Sequence, residues 1–177
     1  FVKDDFVDAL QNGSPTQEQM EALDLMAAWD GHFVEGGPSQ WAFGMNRADA
    51  WILMDRWTRK VIDLTFDDEL GSDSQSDRVL FNVLLHGLAG PDSGIVNYYN
   101  WFQNPTDPGA PQTANSIIVA ALDSVLADLG SRPWGAGVRG LTNYDHLMIG
   151  TVYAMPFSSR STYAHCVEYG ADGPVRI

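Results

Sequence analysis

Met148-Ile149-Gly150-Thr151-Val152-Tyr153-Ala154-Met155, then Pro156-Phe157-Ser158-Ser159, then Arg160-Ser161-Thr162-Tyr163-Ala164-His165-Cys166-Val167-Glu168-Tyr169 is the stretch on which the fold class turns. The runs 147–155 and 160–169 are rich in Val, Ile, Thr and Tyr and flank a turn, so they predict two strands of a β-hairpin. A third run begins at Pro174 and ends with the chain at Ile177. A lone hairpin is marginal in water. The pattern therefore predicts missing partner strands, with this chain a piece of something larger.

Upstream the period is helical. Ile117, Ile118, Ala121, Leu122, Val125, Leu126 and Leu129 form one broad apolar stripe over 113–129, with Asn115, Asp123 and Asp128 mostly away from it. Gly130 supplies the stop before Pro133. Ser14-Pro15-Thr16-Gln17 predicts a helix start, with Ser14 as cap and Pro15 at the first helical position. That helix is expected to end near Gly31, with Met20, Leu23, Met26 and Ala27 on its inner face. Ala50, Met54, Trp57, Val61 and Leu64 predict a packed helix over 46–65. A more apolar helix is expected from Asp77 to His86, closed by Gly87, and a short aromatic one over Tyr98 to Phe102. Residues 30–44, Asp67 to Asp77, Asn104 to Pro111 and Gly135 to Gly140 read as connections. The expected fold class is α+β: a helical part over 14–130 and a β-rich part over 134–177, together one segment of a larger domain.

The charge excludes some partners. The formal net charge is -13, from 10 basic and 23 acidic side chains. Phosphate backbones and anionic membranes both demand clustered Lys and Arg, so no nucleic acid and no membrane insertion are expected. No apolar run reaches the ~18 residues of a membrane helix.

No familiar catalytic signature is present: no Gly-x-Ser-x-Gly elbow, no His-Glu-x-x-His, no Cys-x-x-Cys and no phosphate loop. His32, His86, His146 and His165 fall on four separate elements without metal-site spacing. His86 is placed to complement a helix C-terminus. Cys166, the single cysteine, reads as a small packed residue. Asp67-Asp68-Glu69 lacks the other spaced oxygens of a calcium loop and reads as a solvated helix end. Six tryptophans could form a sugar platform, but Trp51 and Trp57 fit a buried helix face.

Several blocks, in order, resemble the heavy chain of the penicillin acylase (penicillin amidase) family. They are Ala28-Trp29-Asp30-Gly31 after an apolar helix, the helix around Trp51 to Ile62, and Asn115 to Gly130 followed by Trp134-Gly135. The closing block is the most specific: Pro156-Phe157-Ser158-Ser159-Arg160-Ser161-Thr162-Tyr163, then Val167-Glu168 and Gly173-Pro174-Val175-Arg176. The resemblance implies the C-terminal part of the heavy chain of an N-terminal nucleophile hydrolase. Its fold would be αββα, the helices forming a layer and the last strands completing a sheet. It implies a self-cleaved precursor in which a new N-terminal Ser attacks an amide, with its own α-amine as base. A free amine near pKa ~8 can take that proton at neutral pH.

This chain departs from the pattern where the chemistry lies. The family's Ser-Asn-Asn-x-Trp-like start is absent, Phe1 cannot be a nucleophile, and no internal Gly-Ser or Gly-Thr pair is followed by Asn. The resemblance therefore transfers no catalytic, cofactor-binding or metal residue here; a structural calcium would lie elsewhere. It implies as partners the remainder of the heavy chain and the light chain, as substrate a small acyl amide, and an extracytoplasmic parent. The segment is expected to be scaffold or pocket wall, and inactive alone. The competing reading is a non-catalytic helical binding or interaction module.

Overall fold

A computed structural model describes residues 2–34, 46–71, 75–90, 94–95, 99–105, 112–138, 141–156, 167–170 and 173–176. In the strands it describes the backbone alone, apart from residues 146 and 150 at the first turn. Five α-helices make the packed body of the described residues: α1 (Lys3–Gln11), α2 (Gln17–Ala28), α3 (Asp49–Leu70), α4 (Asp77–Ala89) and α5 (Ala114–Leu129). Helix α5 packs against α3 and α1, α4 lies on α3, and α2 leans on α1 and α5.

The helices form for local reasons. Thr16 accepts from the Gln19 backbone N–H at 3.3 Å while the Gln19 side chain accepts from Thr16 N at 2.9 Å, a complete capping box. The cap is Thr16 rather than the expected Ser14, so Pro15 lies outside the helix and the inner face rotates. Ala22 and Met26 are buried, as is Gln19, whereas Met20 is 43% exposed. Thr113 and Ser116 build the same device at the start of α5. The α5 stripe is as expected: Ile117, Ile118, Ala121, Leu122 and Val125 are buried. Gly130 at φ 61 and Gly90 at φ 55 close α5 and α4 in a conformation that a side chain resists. Gly87 was expected to close α4, but the helix runs through it. Its missing side chain instead admits the Phe102 ring, 3.2 Å from where a Cβ would stand. Residues 101 and 102 form a turn, not the expected short helix, and Tyr98 lies outside the described residues.

Helix α1, which periodicity did not predict, supplies the centre of the core. Phe6 and Trp57 are both 0% exposed, their rings 4.8 Å apart. The Trp57 Nε1–H donates to the Ile118 carbonyl at 2.8 Å, tying α3 to α5. Thr65 is 1% exposed, and its hydroxyl has no hydrogen-bond partner. Thr65→Val keeps the shape and removes the orphaned group. It is expected to be neutral or to stabilise by roughly 1 kcal/mol, read from urea midpoints.

The expected α+β class is corrected by this architecture. The packed body is helical, and among the described residues no pairing joins 150–156 to 167–169 as the expected hairpin requires; residues 160–166 lie outside the described residues. Backbone pairing joins 150–156 instead to the preceding residues, as the antiparallel ribbon β1 (Leu141–His146) and β2 (Gly150–Pro156). A second ribbon joins β3 (Val167–Gly170) to β4 (Gly173–Arg176). The two ribbons do not pair with each other, so among the described residues no sheet layer of an αββα stack is present. Strand propensity located extended backbone but could not choose its partner, because register depends on the turn and on a buried face.

Candidate functional site

A buried polar centre lies at the start of α3. Asp49, in the first helical turn, is 6% exposed. Its Oδ2 accepts from Arg132 Nε at 2.8 Å and its Oδ1 from the Gly135 backbone N–H at 2.7 Å. A carboxylate also suits a helix N-terminus, where backbone N–H groups lack partners. The strand-like approach to α3 is laced to the same segments. Arg47 N donates to the Val138 carbonyl at 2.8 Å, Ala48 N to the Phe33 carbonyl at 2.6 Å, and Gly137 N to Asn46 Oδ1 at 3.3 Å. The Arg47 guanidinium lies 4.2 Å from the Trp51 ring centroid and 5.5 Å from that of Phe33.

The turn after α2 closes this junction. Trp29 Nε1 donates to the His32 carbonyl at 2.8 Å, and His32 N donates to Asp30 Oδ1 at 2.9 Å. The start of α3 and the 132–135 run thus meet around one carboxylate, and the turn after α2 joins them through the Phe33 carbonyl. None is conspicuous alone. A buried Asp at a helix start, matched with an Arg-Pro-Trp-Gly run more than 80 residues later, was the available signal.

Burial pushes the Asp49 carboxyl up, but the Arg132 hydrogen bond, the Gly135 N–H, the Arg132 charge and the Trp134 N–H together outweigh it. The net effect holds its pKa below the ordinary carboxylate value. A depressed folded pKa stabilises above the unfolded value of 3.8 and loses that contribution as pH falls through the lower folded value. Asp49→Asn is therefore expected to cost about 2 kcal/mol at pH 7, since Arg132 is half exposed and rehydrates. The deficit should shrink below about pH 4, as parallel urea titrations at pH 7 and pH 3 would read.

Beside this junction runs an open groove of about 690 Å³, floored by Trp29, Trp51, Met54, Ile62 and Phe81. Arg59 spans its rim, 3.3 Å from Asp55 and 2.9 Å from Asp77. The groove offers apolar surface, while the Asp49 junction fixes backbone.

The histidines are not brought together. His32 sits in the turn after α2, His86 in the last turn of α4 and His146 at the end of β1, where its Nδ1 accepts from Met148 N at 3.2 Å. His165 and Cys166 lie outside the described residues. The hydroxyls of Thr16, Thr113 and Ser116 are taken up in helix caps. Asp67, Asp68 and Glu69 form the last turn of α3 rather than a connection. Trp57 is buried as expected, and Trp51 is partly exposed beneath Arg47. Among the described residues, no cluster of three His, Cys, Asp or Glu could hold a metal ion, and no helix is long and apolar enough to cross a membrane.

Residues 2–161 match the family described as penicillin amidase. No curated protein matches the chain.

Proposed function

The chain belongs to the penicillin amidase family, and on that premise we propose that it is the C-terminal heavy-chain segment of an amidohydrolase whose nucleophile lies outside it. The reaction is hydrolysis of an acyl amide. An N-terminal Ser on another part of the parent attacks the carbonyl, with its α-amine taking the hydroxyl proton. Oxyanion donors, also outside these residues, stabilise the tetrahedral states before water releases the acid.

The observation that carries the scaffold role is the Asp49 junction, where hydrogen bonds join the 46–49 segment to the 132–138 run and to the Phe33 backbone. A Ser-Asn-Asn start occurs nowhere in the 177 residues, in keeping with a nucleophile elsewhere. The aromatic groove is the surface best suited to face an acyl chain or the remainder of the parent. Leu147, Met148 and Ile149, at 105%, 88% and 72% exposure, give the remainder further apolar surface to cover. The parent is exported, and any structural calcium is held by other residues.

N-terminal sequencing and intact mass of the parent from its own source test this reading. A Ser-initiated chain containing this segment near its C-terminus is expected. A natural polypeptide with no Ser-initiated chain would remove the amidohydrolase mechanism. It would favour a helical interaction module, for which the same groove is the candidate surface.

A further inference from the structure

The groove beside the Asp49 junction gathers positive charge on an acidic chain. The formal net charge is -13, with only 10 basic side chains. Three of those, Lys3 of α1, Arg59 of α3 and Arg78 of α4, line the groove, against two carboxylates, Asp55 and Asp77. Arg59 holds both carboxylates, at 3.3 Å and 2.9 Å. Lys3 and Arg78 have no ion-pair partner among the described residues. Two unpaired cations from different helices therefore border a largely apolar floor.

The shape of the groove selects the kind of occupant. Helix α3 lines it from Trp51 to Ile62, about 16 Å of helix. A small acyl group covers only part of that length. An amphipathic helix of about three turns matches it, with apolar anchors at i, i+3 or i+4, and i+7. We propose that the groove is the docking site for an acidic amphipathic helix in the remainder of the parent, its apolar anchors on the floor and its carboxylates on Lys3 and Arg78.

The two parts of the groove do different work. Covering the rings of Trp29, Trp51 and Phe81 supplies most of the affinity. Rim charges add little energy in water but decide which partner is accepted. A basic segment would set like charges beside Lys3 and Arg78, and the carboxylates that could receive it are already held by Arg59. The source of the helix rests on the amidohydrolase reading. The preference for acidic over basic flanks is a property of these residues alone.

Fluorescence anisotropy of two labelled model peptides, titrated with the 177-residue chain, tests the charge preference. Both peptides carry the same Leu and Phe anchors; one is flanked by Glu and the other by Lys. The Glu-flanked peptide is expected to bind about tenfold more tightly at low salt, with the gap narrowing as salt is raised. Lys3→Glu combined with Arg78→Glu should close or reverse the gap. Arg56→Glu combined with Lys60→Glu, the same charge change outside the groove lining, should leave it. In the parent, a benzophenone photo-crosslinker in place of Phe81 should capture a helix flanked by Asp or Glu in the remainder. Equal affinities, no binding of either peptide, or a gap unchanged in the groove variant would overturn the proposal. Crosslinks confined to a second copy of the chain would overturn the assignment of the occupant. The peptide titration does not require a Ser-initiated parent, so its failure is distinct from failure of the amidohydrolase reading.

Discussion

Gly135→Ala is expected to destabilise the chain by about 3–4 kcal/mol, lowering the melting temperature by roughly 10 °C. A Cβ at this position would collide with the Arg47 carbonyl oxygen and stand 2.9 Å from its carbon. Both are backbone atoms, so no side-chain rotation relieves the clash. Relief requires the 131–138 segment to move off the start of α3. That movement breaks the Gly135 N–H bond to Asp49 and strains the neighbouring Arg132 pair, leaving a buried carboxylate short of donors. The effect is therefore a close-packing one, unrelated to backbone freedom at a turn. Differential scanning calorimetry of the two chains reads it directly. A loss under about 1 kcal/mol would mean that this junction does not hold the segments together.

Trp57→Ala should be comparably severe, at about 3–5 kcal/mol. Trp57 is fully buried, packs against Phe6 of α1 and bonds the Ile118 carbonyl of α5. Its removal opens a cavity where three helices meet. Trp57→Phe separates the two contributions, because the ring is largely kept and the Nε1 donor is lost. That change is expected to cost about 1–2 kcal/mol, part of it from leaving the carbonyl unpaired. Equal losses in the two variants would place the whole effect in the hydrogen bond and contradict the packing account. Urea midpoints measured at constant m make the comparison clean.

The elements that periodicity revealed were those whose burial follows one face. Helix α5 is the clearest case, because its apolar stripe, Thr113 cap and Gly130 stop all point to the same bounds. For helix α3 the pattern predicts a helix that stops near Thr65, because the acidic residues after it resemble a solvated connection. It continues through them to Leu70. Helix α1 escaped notice because its few apolar residues, Phe6, Ala9 and Leu10, sit among charged and polar ones. The ribbon was placed wrongly because 160–169 has strong β-propensity, while the observed partner 141–146 contains Asn143 and Asp145, residues depleted in strands.

The junction around Asp49 was not legible for a different reason. Its members are 83 and 86 residues apart in the chain, and each has an ordinary local explanation. Asp49 fits a first helical turn, Arg132 a solvated loop and Gly135 a flexible turn. Tertiary contact alone makes them one unit. The family block Trp134-Gly135 nevertheless marks a segment of this junction, since the Gly135 N–H donates to Asp49. Resemblance located the segment, and the hydrogen bond supplies the physical reason for it.

The role proposed for this family member is to contribute structure to an amidohydrolase whose attacking group lies elsewhere. Turnover of chromogenic acyl anilides, measured side by side for the isolated 177 residues and for the parent that contains them, tests it most directly. The prediction is hydrolysis by the parent, abolished when its N-terminal Ser is replaced, and none by the isolated chain. Sustained amide hydrolysis by the isolated chain would contradict the claim.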